Sequence, residues 1–437
     1  MKTVILYLLL LACFLVSCRE EAKQTGSVEL PVTLVDGYGP FHPGFGALGN
    51  EHKNDPEWKR FWGKMTLPVR GVPKNWSSVN KAMVWLNTHQ LIYQNFLADN
   101  FTQEQYEHLQ KSWKWSPDTA KLSEKPIKCY VYTLTGYDEK SGKWAVMMDT
   151  NNNLDFSDEK VVYPSVINNK DPYSYQNPTI VQYEIYRRGK VVRATVPMVV
   201  KTMGSEFLYN FPQHARTTLM RSGKEYQMAI ISGFMRTDFE SPALVDIASI
   251  SEHQRVQEDG LTRINENIVL GGINYKNKGV DVYTNTLRLE PVSDETKEYS
   301  LQVGYPFRPF AAQEFMTKRP IALADYKGKY VYVDFWGTWC KGCIQDIPSL
   351  KKMYQGLDKS RFEFISIAAD SPGKLTNFIR KEKLTWPQIL SDNTNKLVDT
   401  YSITGFPTSV LIDPDGIVIA RDLRGDRLAT KLKELEN

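Results

Sequence analysis

Histidine and cysteine are scarce in this chain: six and five among 437 residues, with no histidine after His253. Beyond the N-terminal Cys13 and Cys18, only Cys129, Cys340 and Cys343 remain, so at most one pair and one single thiol lie in the body of the protein. A structural zinc usually takes four ligands, and the region around Cys340 and Cys343 does not supply them. The formal charge of +4 is small for this length, and no dense Lys/Arg stripe is present. Nothing therefore points to nucleic acid. Internal repeats and long low-complexity tracts are also absent.

What is present is enough apolar material, 42% hydrophobic and 12% aromatic, for more than one core and for two or three domains. The most informative stretch is Tyr330–Pro348, YVYVDFWGTWCKGCIQDIP. An apolar, β-branched run ends at a C-x-x-C, Cys340-Lys341-Gly342-Cys343. Helical spacing then begins at Ile344, Ile347, Leu350 and Tyr354. A cysteine opening a helix faces unpaired backbone N–H groups and the positive end of the dipole, which favour the thiolate. A second cysteine one turn on can reach the mixed disulfide that the first one forms.

Asp334-Phe335-Trp336-Gly337-Thr338-Trp339-Cys340, with the C-x-x-C it opens, resembles the thioredoxin superfamily, and within it the TlpA/ResA type of thiol-disulfide oxidoreductases, over roughly residues 303–437. The resemblance implies a protein-disulfide reductase acting through the Cys340/Cys343 dithiol, with a redox-active disulfide and no other cofactor. Asp334, an acid inside an apolar strand, must either find a partner or titrate high; the resemblance implies that it takes the proton of Cys343. Gly405-Phe406-Pro407-Thr408 matches the cis-proline loop, and with Trp339 the pair Phe406 and Pro407 would shape the docking surface. Pro348 matches a helix kink. Lys341 and Gly342 depart from the Gly-Pro of thioredoxins, which opens the redox potential to tuning; Lys341 is a tuner or a solvated bystander. Asp346 reads as a solvated helix-face acid. The same resemblance implies a membrane electron donor of the DsbD/CcdA kind, and as clients disulfide-containing envelope proteins, cytochrome c apoproteins among them. Oxidase or isomerase chemistry would use the same residues.

The chain opens with Lys2 and an apolar run from Val4 to Val16, which reads as a secretory leader too short for a comfortable membrane span. Leu15-Val16-Ser17-Cys18 resembles a lipobox, implying that residues 1–17 are removed and Cys18 is lipidated. A periplasmic, lipid-anchored protein follows, with the outer membrane as the plausible site. Residues 18–30 read as a tether.

Residues 31–126 form a mixed, aromatic-rich region, with Trp58, Trp62, Trp76, Trp85, Trp113 and Trp115 and a capped helix from Thr102. The tryptophans read as core packing ahead of a binding platform. From 127 to 300 the period is two, which predicts a β-rich domain with strands at 129–134, 143–148, 180–186, 191–200, 226–232 and 280–283 and a hairpin at Arg187–Lys190. Cys129 reads as a core residue there. Asp149, Asn151, Asn153 and Asp155 alternate as in a calcium loop, but Leu154 and Lys160 break the pattern, and an Asn/Asp hairpin explains the same residues. Residues 301–437 complete an α/β thioredoxin-like domain, a mixed central sheet flanked by helices. The rival from another class is an anchored ligand-binding protein on a spent thioredoxin scaffold.

Overall fold

The computed structural model describes residues 26–49, 62–113, 115–167, 177–239, 243–246, 255–292 and 298–436. The leader, the lipobox with Cys18, and Trp58 lie outside these residues.

The C-terminal sheet has five strands: β1 (Tyr330–Trp336), β2 (Phe362–Ala368), β3 (Gln388–Leu390), β4 (Thr408–Ile412) and β5 (Val418–Arg421), in the order β3-β2-β1-β4-β5. β1, β2 and β3 run parallel, whereas β4 and β5 are antiparallel to their neighbours. The parallel half is connected through α1 (Lys341–Gly356) and α2 (Pro372–Glu382); α3 (Leu397–Thr400) precedes β4, and α4 (Gly425–Glu436) ends the domain.

The alternation of β1 explains how the sheet buries both faces. Val331, Val333 and Phe335 join Ile365, Ile367, Val410 and Ile412 in one core. Tyr332 and Trp336 point the other way, into a core with Cys343, Ile347 and Leu350 of α1 and Leu428 and Leu432 of α4. The same period places Asp334 on the α1/α4 side, and it is only 3% exposed. Residues ahead of the sheet extend it: Pro306 bridges Ile417, Gly304 N–H donates to Val418 C=O and Val418 N–H to Tyr305 C=O.

The remainder is strand-rich. One sheet orders Val28–Pro31, Thr286–Pro291, Ile273–Asp281 and Asn267–Leu270; a second orders Ala243–Asp246, Lys224–Ile231, Gln213–Arg221 and Thr33–Asp36. A third contains the long hairpin Thr179–Arg187/Lys190–Met203, where the turn at Arg188-Gly189 was expected. The fourth pairs Trp76–Trp85 with Tyr130–Asp138, and Tyr130–Asp138 with Lys143–Met148.

These pairings cross the boundaries drawn from sequence. Residues 28–30, expected to be tether, belong to a strand that is paired with 286–291, and the line at 126/127 is spanned by the antiparallel pair Trp76–Trp85 and Tyr130–Asp138. Local composition marked the turns, but strand partners are chosen by side chains far apart in the chain. The helix from Thr102 forms as Gln103–Ser112, with Thr102 accepting from Gln105 N–H and the Gln105 side chain from Thr102 N–H. A second helix, Thr88–Leu97, capped by Asn87, was not read from the sequence. Trp76 is buried, and Trp62, Trp85 and Trp115 pack against the same cluster, which makes core the main use of the tryptophans; Trp113 is exposed. Cys129 is fully buried and unpaired, and burial raises its thiol to about 12.

Candidate active site

β1 ends at Trp336 and the chain turns through Gly337-Thr338-Trp339 before α1 begins. The turn is tied to the end of β2. Thr338 N–H donates to Asp370 Oδ2 at 2.6 Å, and the indole N–H of Trp339 to Ala369 C=O at 2.8 Å. Gly337 is required by this closeness, since a Cβ there would stand 2.6 Å from Trp339 Nε1 and 3.0 Å from Ala369 O.

Cys340 caps α1, its sulfur accepting from Cys343 N–H at 3.1 Å, and it is disulfide-bonded to Cys343. Both are nearly buried, at 6% and 3% exposure. Helix α1 continues through Pro348 to Gly356.

The Phe406–Pro407 peptide is cis. A Cβ on Gly342 would lie 3.6 Å from Pro407 Cδ, so the proline ring packs directly over the C-x-x-C turn. Trp339, 60% exposed, meets Phe406 edge-on with ring centroids 5.2 Å apart. Trp339, Gly342, Phe406 and Pro407 thus lie together around the disulfide. Lys341 is solvent-exposed at its edge.

Asp334 lies below this surface on β1. An acid facing water on an edge strand is ruled out, because β1 is central, with Ser366 and Ser409 opposite Asp334 on either side. Burial pushes its carboxyl up to about 7; the guanidinium of Arg424 opposes the rise and Asp346 adds to it. Arg424 Nη2 stands 3.7 Å from Asp334 Oδ1, too far for a hydrogen bond, while Nη1 donates to Asp346 Oδ2 at 2.7 Å. Asp346 is therefore no solvated bystander. It anchors, from one turn after Cys343, the cation that stands beside Asp334.

Arg424 itself was missed. No local motif marks it, because it follows β5, some ninety residues from Asp334. The OH of Tyr332 and the hydroxyl of Ser409 both donate to Leu423 C=O, at 3.1 and 3.3 Å, and hold the backbone next to it. A cleft of about 580 Å³ opens alongside, between Arg263–Glu266 and Tyr299–Leu301 on one wall and Thr400–Thr404 with Thr408 on the other.

The candidate calcium loop is a ladder of Asx turns. Asp149 accepts from Asn153 and Leu154 N–H, Asn151 from Asn153 N–H, Asn153 from Asp155 N–H, and Asp155 from Ser157 N–H. Side-chain-to-backbone bonds thus account for its spacing. Among the described residues no group of three or more His, Cys, Asp or Glu side chains is gathered as a metal site would need.

A thioredoxin-like domain with a C-x-x-C capping a helix, a cis-proline against it and a buried acid behind defines a thiol–disulfide exchange enzyme. The AhpC/TSA family matches residues 303–421. The thiol-disulfide oxidoreductase ResA of Bacillus thuringiensis subsp. konkukian is 34% identical over 140 residues, 32% of this chain and 79% of the relative; that of Bacillus subtilis is 31% identical over 121 residues, 28% and 66%. Among solved structures, the thioredoxin domain of a Bacteroides vulgatus thiol-disulfide oxidoreductase is 31% identical, with 32% of this chain and all of that one covered and a TM-score of 0.30. Through its C-terminal domain the chain belongs to the ResA-type thiol-disulfide oxidoreductases. The residues ahead of that domain lie outside these matches.

Proposed function

We propose that this chain is a protein-disulfide reductase of the bacterial cell envelope, anchored by lipid on Cys18 and working through the Cys340/Cys343 dithiol. Among the described residues no helix is long and apolar enough to cross a membrane. The observation that carries the mechanism is the placement of Asp334, buried on the α1 side of the sheet with its carboxyl raised to about 7.

In the reduced enzyme the Cys340 thiolate attacks one sulfur of a client disulfide. The client's S–S bond breaks, a mixed disulfide forms, and the departing client sulfur leaves as a thiolate that takes a proton from water. Cys343 then gives its proton to Asp334 and attacks Cys340 Sγ. This closes the Cys340–Cys343 disulfide and releases the second client thiolate. Two electrons and, in all, two protons reach the client. A carboxyl titrating near neutrality is both available to accept the proton and able to release it to solvent, as a general base should be. Trp339, Phe406 and Pro407 supply the docking surface, and Lys341 with Gly342 tunes the couple.

The cycle needs a dithiol donor to restore the reduced pair, and a DsbD/CcdA-like membrane protein fits that requirement. Disulfide-containing envelope proteins, with cytochrome c apoproteins among them, are the client class. The reduction potential of the couple tests the direction, by equilibration against glutathione or dithiothreitol with Cys343→Ala as control. A value near that of thioredoxin, about −270 mV, supports a reductase; one near that of DsbA, about −120 mV, makes the protein an oxidant.

A further inference from the structure

The segment Arg421-Asp422-Leu423-Arg424 joins the strand-rich region to the floor of the active site. At its start Arg421, on the last strand of the sheet, is only 1% exposed. Its guanidinium donates to the Glu266 carboxylate and to Leu261 C=O, both outside the thioredoxin-like domain. Asp422 follows with a φ of +51°. It accepts from Arg263 Nη2 at 2.7 Å through Oδ2, and its N–H donates to Ser409 C=O at 2.8 Å. Leu423 is buried in the α1/α4 core, with its carbonyl held by Tyr332 and Ser409. Arg424 then reaches Asp346 and stands beside Asp334.

The loop that grips the segment is itself fixed. Glu266 Oε2 accepts from Arg263 N–H at 2.7 Å, and Glu266 C=O from Asn277 N–H at 2.8 Å, which ties the loop to a central strand of its own sheet.

We propose that the strand-rich region acts on the thiol chemistry through this segment: Glu266 and Arg263 are positioning residues that, by fixing Arg421 and Asp422, hold the guanidinium of Arg424 beside Asp334. The inference rests on the proton-accepting role given above to Asp334. Neither Glu266 nor Arg263 touches the reacting sulfurs. The charged or titratable groups that act on Asp334 are Arg424 from this segment, Asp346 from α1 and Tyr332 from its own strand; its sheet neighbours Ser366 and Ser409 are neutral, and the bonded cysteines do not titrate. Burial is the main cause of the raised Asp334 carboxyl, and Arg424, the one cation among these groups, opposes it, so its distance sets how far ionisation is eased.

The test is a carbon-13 NMR titration of the Asp334 carboxyl in the purified oxidised chain, with Asp334→Asn assigning the signal. Glu266→Gln and Asp422→Asn each remove a negative charge. Acting through space alone, that loss would ease ionisation and lower the midpoint. Release of Arg424 raises it instead, so the expected result is an upward shift of about half a unit or more in both variants. Asn keeps the positive φ at 422 accessible, so Asp422→Asn serves even if Glu266→Gln folds poorly. Gln302→Ala removes a different contact between the same regions, the pair with the Asn267 backbone, and is expected to leave the midpoint in place.

An unchanged or lowered midpoint in Asp422→Asn overturns the inference, and so does an equal rise in Gln302→Ala. Should Asp334→Asn reduce insulin at the wild-type rate across the pH range, the proton role of Asp334 fails instead, while the titration midpoints, read on the oxidised chain, still decide the positioning role separately.

Discussion

Asp334→Asn should make the thioredoxin-like domain more stable in alkaline solution while impairing its chemistry. Asp334 is 3% exposed, and burial raises its carboxyl from 3.8 to about 7. A carboxyl raised in the folded state binds more protons there than in the unfolded chain between those two values. Stability therefore falls as pH rises through that window and is unaffected below it. Each pH unit of displacement corresponds to 1.36 kcal/mol, so well above pH 7 the ionised acid destabilises the fold by up to ~4 kcal/mol. That figure is already net of the attraction of Arg424. Asparagine keeps the shape without the charge, and Arg424 retains Asp346.

The readout is amide hydrogen exchange of β1 and α1 peptides, compared between variant and wild type at each pH so that the intrinsic dependence of exchange cancels. At pH 8 the variant should be more protected, approaching a thousandfold at the upper limit of ~4 kcal/mol; near pH 4 the two should coincide. Equal protection at pH 8 would show that Asp334 ionises without penalty. A difference that persisted at pH 4 would assign the effect to packing. Either result would refute the reasoning.

Cys343→Ala should accumulate mixed disulfides through Cys340, since the resolving thiol is gone; mass spectrometry of trapped adducts reads this, and absence of adducts with a disulfide substrate in excess would count against the order of attack. Gly337→Ala should displace the Trp339 indole, destabilising the domain by about 1–3 kcal/mol and slowing insulin reduction more than turnover of a small disulfide. Thr102→Ala should remove one side of the capping box on Gln103–Ser112 and lower stability by ~1 kcal/mol, seen as a lower denaturation midpoint. Because backbone amides already occupy the oxygens of Asp149, Asn151, Asn153 and Asp155, thermal melts with chelator and with excess calcium should superimpose; a calcium-dependent rise would restore the metal reading.

The active-site surface was legible because each of its parts is local. Strands β2 and β4 begin and end where their apolar runs do, at Phe362–Ala368 and Thr408–Ile412, and the C-x-x-C announces its helix. The first residues of the strand-rich region were not legible for the opposite reason. Val28–Pro31 carries only four residues and pairs with Thr286–Pro291, so nothing near it in sequence distinguishes strand from tether. Trp76–Trp85 contains a register shift between Ser77 and Asn80, which interrupts the alternation that would have revealed it.

Arg421-Asp422-Leu423-Arg424 shows the same limit at the chemical centre. In sequence it is a charged link between a hairpin strand and an amphipathic helix, the pattern of a solvated turn. In the structure Arg421 and Leu423 are buried, and Asp422 and Arg424 are half-buried and ion-paired. The left-handed residue Asp422 ends the strand after Arg421 and returns the chain across Ser409. The two arginines consequently serve different neighbours: Arg421 faces Glu266 in the strand-rich region, and Arg424 faces Asp334 and Asp346 around the active site. Removing a partner from a buried ion pair costs about 3–5 kcal/mol, so Glu266 and Arg421 fix the start of the segment firmly. At the other end Arg424 is hydrogen-bonded to Asp346 at 2.7 Å, and its contact with Asp334 is longer, 3.7 Å. A shift of the segment that leaves the Arg424–Asp346 bond intact can still change the distance from the guanidinium to Asp334, which no hydrogen bond fixes. On the reading proposed above, the strand-rich region therefore reaches Asp334 through the position of this guanidinium, with Glu266 and Arg263 at one end of the segment and Arg424 at the other.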